Sequence, residues 1–210
     1  MHKIFFNRSF VTFVGLIVFI LCIHSPSSYA TNKPHRATNK INISLTLDSR
    51  SIGSNSTGPI DSLLIPSTGN GLESTAVTFD DIETMASYST SIDVFDTLGD
   101  IHTIRIYFFK IATNSWQMRL YGDSYQFGEN VTGYPREFLT TNARRARLTI
   151  NFNEFGKPVK LGRSPHLRIK TPWSNGSSIN QTIQISLTKI RQLATSSTTH
   201  RISQNGRPVS

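Results

Sequence analysis

Outside the first thirty residues the sequence carries four histidines, His35, His102, His166 and His200. Metal sites need such residues at close, regular spacing, and these four lie far apart with no His-x-x-x-His or similar pattern. Asp93, Asp96 and Asp100 place three carboxylates around one short stretch, as a calcium loop or an acid pair would. The residues between them are mostly apolar, and the ligand order of a calcium loop is absent. Asp96 is therefore read as a turn residue whose carboxylate accepts from backbone amides, with Gly99 supplying a positive φ. His102, just past that turn, is read as a strand residue capping or packing near it. Gly69, Gly71, Gly122, Gly128 and Gly133 sit in polar loops, which is the wrong setting for a phosphate cradle. Serines abound without a Gly-x-Ser-x-Gly elbow. No catalytic, cofactor-binding or metal-binding residue is assigned, and no enzymatic activity is expected.

Two groupings remain. Arg144, Arg145 and Arg147 form the one tight basic cluster, read as a solvated loop or strand face. Tyr107, Phe109 and Tyr121 share a strand face with Arg105 and Arg119. Such a face can stack sugars or single-stranded nucleic acid, but packing under a second layer is preferred.

The elements that would position these residues begin after a leader. Lys3 and Arg8 precede the apolar run "VTFVGLIVFILCI", and "HSPSSYA" ends with small residues at Ser28 and Ala30. Residues 1–30 thus read as a Sec-type signal peptide, too short for a comfortable membrane span, which sends the protein to the periplasm or cell surface. Leu21 before Cys22 argues against a lipid anchor. Cleavage after Ala30 would leave no cysteine, which removes disulfides and thiol chemistry together. It would also leave 20 basic against 13 acidic residues, a surplus that attracts anions and says nothing about fold.

Residues 31–40 form a polar leader. From Ile41 a period-two pattern runs through Ile43, Leu45 and Leu47. Residues 50–71, rich in Ser, Gly, Asn and Pro, are expected as a loop, and "TFDDIETMASY" as a site for one helical turn. Ile92 and Val94 lead into "DTLGD"; Ile104, Ile106 and Phe108 alternate with Arg105, Tyr107 and Phe109; Trp116, Met118 and Leu120 follow the turn "IATNS". These predict three consecutive antiparallel strands. A loop is expected over 122–143. Leu148, Ile150 and Phe152 then run into "NEFGK", where Asn153 and Gly156 repeat the roles of Asp96 and Gly99, with Val159 and Leu161 beyond. "HLRIK" and "TIQISLTKI" alternate again. The pattern predicts an all-β domain over 41–190, an antiparallel barrel or sandwich of about seven to eight strands. A polar tail, extended or poorly ordered, is expected over 191–210.

The stretch 91–123 resembles the outer β domain of bacterial flagellar hook proteins. The residues that carry the resemblance are Val94, Asp96, Leu98, Gly99, His102, Phe108, Lys110, Asn114 and Trp116. "ARLTINFNEFGKPV" is similar to a later hairpin of that family, "INISLTLDSRS" to its entry strand, and "STTHRISQNGRPVS" to the segment returning toward the inner domain. Hook and rod subunits carry long helical segments at both ends, so a truncated relative is expected. The resemblance implies a structural, non-enzymatic role in motility, with flagellar or envelope proteins, or further copies of the chain, as partners and no nucleic acid. Val94, Asp96, Gly99, His102, Phe108, Trp116, Asn153 and Gly156 are the motif residues expected to hold the fold. A secreted glycan-binding or adhesion module reusing the domain is the alternative.

Overall fold

Strands supply most elements of the computed structural model, which describes residues 34–53, 77–130, 132–159 and 165–209. All of these belong to one unit, Lys33–Ser210. The expected signal peptide, most of the 50–71 loop and Leu161 lie outside the described residues. In chain order the elements are β1 (Lys40–Asp48), α1 (Phe79–Met85), β2 (Tyr88–Phe95), β3 (Ile101–Ala112), β4 (Ser115–Asp123), a 3-10 turn (Ser124–Phe127), β5 (Pro135–Glu137), β6 (Arg147–Asn151), β7 (His166–Lys170), β8 (Thr182–Leu193) and β9 (Thr198–Gln204).

The strands form two sheets. One has the order β7-β8-β1-β9; the other runs β2-β3-β4, with β5 and β6 lying end to end along β4. Alternation turns one face of each sheet inward. Ile41, Ile43, Leu45 and Leu47 of β1 and Ile183, Ile185 and Leu187 of β8 meet Ile104, Ile106 and Phe108 of β3 and Trp116, Met118 and Leu120 of β4, all at 1% exposure or less. Removing each such side chain from water contributes about 1.5–3 kcal/mol, which makes this layer the main source of stability.

Three features depart from the sequence expectation. The pairing of β1 with β8 is parallel, unlike every other strand pair among the described residues. A parallel pair needs a long crossover, and here most of the chain is that crossover. The segment 122–143, expected as a loop, supplies the 3-10 turn and β5. The tail over 191–210 is also structured: β8 continues to Leu193, and β9 pairs antiparallel with β1. None of the β9 residues is fully buried, so no apolar alternation marked this strand. Backbone pairing holds it.

Both neighbours of β1 bulge at one level. Ile43 pairs with Leu187 and Ser44 with Lys189, leaving Thr188 extra; Ser44 pairs with Arg201 and Leu45 with Thr199, leaving His200 extra. An extra residue shifts the inward phase, which is why β8 buries Ile183, Ile185 and Leu187 and then Ile190 and Gln192. The sides of the sandwich are stitched. Tyr88 donates its hydroxyl to Thr199 at 2.8 Å on one side. On the other, the Lys170 amide donates to the Leu139 carbonyl at 2.9 Å. Free strand edges are thereby covered.

The helix α1 forms because Thr78 and Asp81 close a capping box, each side chain accepting from the other's amide. It buries Ile82 against Tyr107, Phe109 and Tyr121, so β3 and β4 are covered on both faces.

Candidate functional site

The motif residues gather at two sites, one at each end of β3. At the first, the carboxylate of Asp96, fully buried, folds back over its own turn. Its Oδ1 accepts from the amides of Leu98, Gly99 and Asp100 at 2.8, 2.8 and 3.0 Å. Its Oδ2 accepts from His102 Nε2 at 2.9 Å and from Asn175 Nδ2 at 2.6 Å. A carboxylate only accepts, so Nε2 of His102 carries the hydrogen. The His102 ring stacks on Trp173 with centroids 3.9 Å apart and planes 2° from parallel. Val94 stands opposite His102 in the ladder between β2 and β3 and is fully buried.

The same corner fastens the two sheets. Thr38 donates its amide to the Phe95 carbonyl at 2.8 Å and accepts the Phe95 amide on its hydroxyl at 3.0 Å. Gln181 Nε2 donates to the carbonyls of Thr38 and Phe95, both at 3.0 Å. This first lock therefore joins the turn after β2, the entry to β1 and the loop before β8.

At the second lock, Asn153 Oδ1 accepts from the amides of Phe155 and Lys157 at 3.1 and 2.9 Å, while Gly156 turns the chain at φ 66°. Gln192 of β8 is the hub. Its amide donates to the Gly156 carbonyl at 2.9 Å. Its side chain accepts from Trp116 Nε1 at 2.6 Å and donates to Asn114 Oδ1 at 2.8 Å. Asn114, Trp116 and Gly156 thus converge on one buried glutamine, and Asn153 holds the turn that carries Gly156. Phe108 sits between the two locks in the core, with its ring 6.2 Å from that of Tyr88.

Gln192, Trp173, Asn175 and Gln181 were not singled out from the sequence. A lone tryptophan in the polar stretch "TPWSNGSS" was the available signal for that loop. Among the described residues no group of three or more His, Cys, Asp or Glu could hold a metal ion. His35 bonds the Arg207 carbonyl, and His200 bonds Thr46, both at 2.8 Å. The aromatic face offered as a sugar platform is covered: Tyr107, Phe109 and Tyr121 are buried at 1, 0 and 4% exposure beneath α1. Arg119 lies over the Phe109 ring at 5.3 Å, and Arg105 over Phe79 at 4.3 Å.

Two tests of the first lock arise here. Burial pushes the Asp96 carboxyl up, but hydrogen bonds from His102, Asn175 and the turn amides outweigh it and bring its pKa down from 3.8 to about 2. A depressed folded-state pKa stabilises above the unfolded value and loses that contribution as pH falls through the folded one. Melting temperature should therefore fall between about pH 4 and pH 2, and Asp96→Asn should flatten that limb. An unchanged limb in the variant would remove Asp96 as its source. Gly99 holds φ 97°. Gly99→Val should cost about 2 kcal/mol through a β-branched residue at positive φ, and unaltered thermal melting would show that the turn tolerates it.

The described residues thus form a two-sheet β-domain with one buried hydrogen-bond lock at each end of β3. Residues 64–207 match the family model described as the flagellar basal body protein FlaE D2 domain. The chain belongs to that family. Among solved structures it is similar to a 32 kDa fragment of the flagellar hook protein FlgE from Caulobacter crescentus, at 18% identity and a TM-score of 0.42. That match covers 57% of this chain and 46% of the fragment, so the chain spans about half of the fragment's length. No curated protein matches the chain.

Proposed function

We propose that this chain is a non-enzymatic structural component of the bacterial flagellum that acts in motility through contacts with other flagellar or envelope proteins, self-association included. The family match over 64–207 carries the reading. Two buried locks that fix the sandwich support it, because a part that transmits force through contacts needs a stiff body. Export through the leader over 1–30, to the periplasm or the cell surface, belongs to the same proposal. Among the described residues no helix is long and apolar enough to cross a membrane. The glycan-binding alternative was motivated by the aromatic-plus-Arg face and the net positive charge; the aromatic residues of that face, Tyr107, Phe109 and Tyr121, pack against α1.

Fractionation of cells producing the protein, with antibody detection, tests the reading. The processed chain is expected to co-purify with hook–basal bodies, and its deletion to reduce swimming. Recovery wholly apart from hook–basal bodies, with motility intact, would overturn the proposal.

A further inference from the structure

A cleft of about 440 Å³ opens where the β5–β6 connection crosses to β7. Arg144 and Arg145 line it from the β5–β6 connection, Arg147 from the start of β6, and His166 and Arg168 from β7, with Thr140 at the seam. No acidic residue is among the described residues of the lining. Glu137, the acid paired with Arg145 and Arg147, is already held: Arg147 Nε and Nη2 donate to its two oxygens at 2.8 and 3.1 Å, and Arg145 Nε lies 3.8 Å away. Arg144 makes no ion pair among the described residues and is exposed, as is Arg168.

The backbone gives this cluster its form. Ala143 has φ 57° and is the one non-glycine at positive φ among the described residues. Such a conformation is unfavourable and persists only where its surroundings enforce it. Here a tight turn enforces it, with the Ala143 amide donating to the Thr140 carbonyl at 2.9 Å and the Thr140 amide to the Arg144 carbonyl at 2.7 Å. In a regular strand, consecutive side chains leave opposite faces. After Ala143, consecutive Arg144 and Arg145 both line the cleft. The bridge from Thr140 to Ile169 then sets this turn against β7.

We infer that this cleft binds a ligand bearing more than one phosphoryl group. Apart from His166, the cations of the cleft are all arginines, whose planar forks donate paired hydrogen bonds to phosphate oxygens, and they stand on both walls.

Titration calorimetry of the full chain with pyrophosphate at low salt, beside flotation with vesicles containing cardiolipin, whose headgroup carries two phosphates, tests this. Saturable binding is expected, weakened about tenfold or more in Arg144→Gln/Arg168→Gln and less than twofold in Arg36→Gln/Arg201→Gln, which removes the same charge elsewhere. Pyrophosphate binding alone assigns a soluble phosphorylated ligand, and vesicle binding lost in the same variant assigns a lipid headgroup. Either supports the site. Absence of both, equal weakening in the two double variants, or equal displacement by citrate would overturn it. Should the first double variant lose its melting transition, Arg144→Gln alone supplies the comparison, since that side chain is exposed and outside the ion pairs.

Discussion

Gly156→Val is expected to cost about 4 kcal/mol and to lower the thermal midpoint by about 8–16 °C. Three effects act together. A β-branched side chain resists the φ of 66° that the turn requires. An added Cβ would run into the carbonyl oxygen of Gln192, which is backbone at the hub of the second lock and cannot swing aside. Moving apart would in turn break the hydrogen bond from the Gln192 amide to the Gly156 carbonyl, a loss of about 1 kcal/mol. Gly99 provides the internal contrast. A Cβ there would meet the end of the Val209 side chain, which can rotate away. Melts of the two variants should thus differ, with Gly156→Val the lower. Equal midpoints would mean that the second turn moves off β8 at little cost, and the hub role of Gln192 would have to be given up.

How much of this was legible in the sequence follows from what each element rests on. The strands β1, β3 and β4 were readable because each buries an unbroken alternation, and the short polar helix because its segment broke that alternation. Turn chemistry was readable too: an acidic or amide side chain followed three residues later by glycine, at Asp96–Gly99 and Asn153–Gly156, specifies a local backbone shape. What could not be read is everything that depends on distance. β9 carries no apolar signal, because its role is backbone pairing at a sheet edge. The bulge at Thr188, a one-residue phase slip within a longer strand, was not read from the alternation. Gln192 and Asn175 are ordinary polar residues whose importance arises only when the fold brings them to Trp116 and Asp96. The motif residues could be named from the sequence, but their partners are long-range and appear only in three dimensions.

The locks also bear on how force would pass through the domain. Each joins both sheets, and they stand at opposite ends of β3, so shear between the layers would have to break buried hydrogen bonds at both ends. The first lock is built around a charge and weakens with acid. The second is built from neutral groups and does not share that dependence. Acid would therefore loosen one end of the sandwich before the other, a prediction that separate reporters at the two ends can follow.

Trp116→Ala is the change expected to harm the fold most. The side chain is fully buried, and removing a large aromatic from such a site costs about 3–5 kcal/mol through lost burial and the cavity left behind. Gln192 would also lose the donor that satisfies its side-chain oxygen at 2.6 Å, adding about 1–3 kcal/mol if water cannot replace it. The thermal midpoint should fall by about 8–32 °C on these figures. Trp116→Phe separates the contributions, since it keeps most of the ring and removes the N–H; about 2 kcal/mol is expected from the unpaired glutamine. Combining it with Gln192→Met should recover part of that loss, because two residues in one hydrogen bond do not act independently. Strict additivity would show that the bond contributes nothing. The sequence has two tryptophans, so these variants leave Trp173, stacked on His102 in the first lock, as the sole indole reporter. If its fluorescence changes at the same lowered temperature as the far-ultraviolet signal, the two locks unfold as one cooperative unit. A Trp173 transition that stays at the wild-type midpoint would instead make each end of the sandwich stable by itself, and the stiffness attributed to the pair would lose its physical basis.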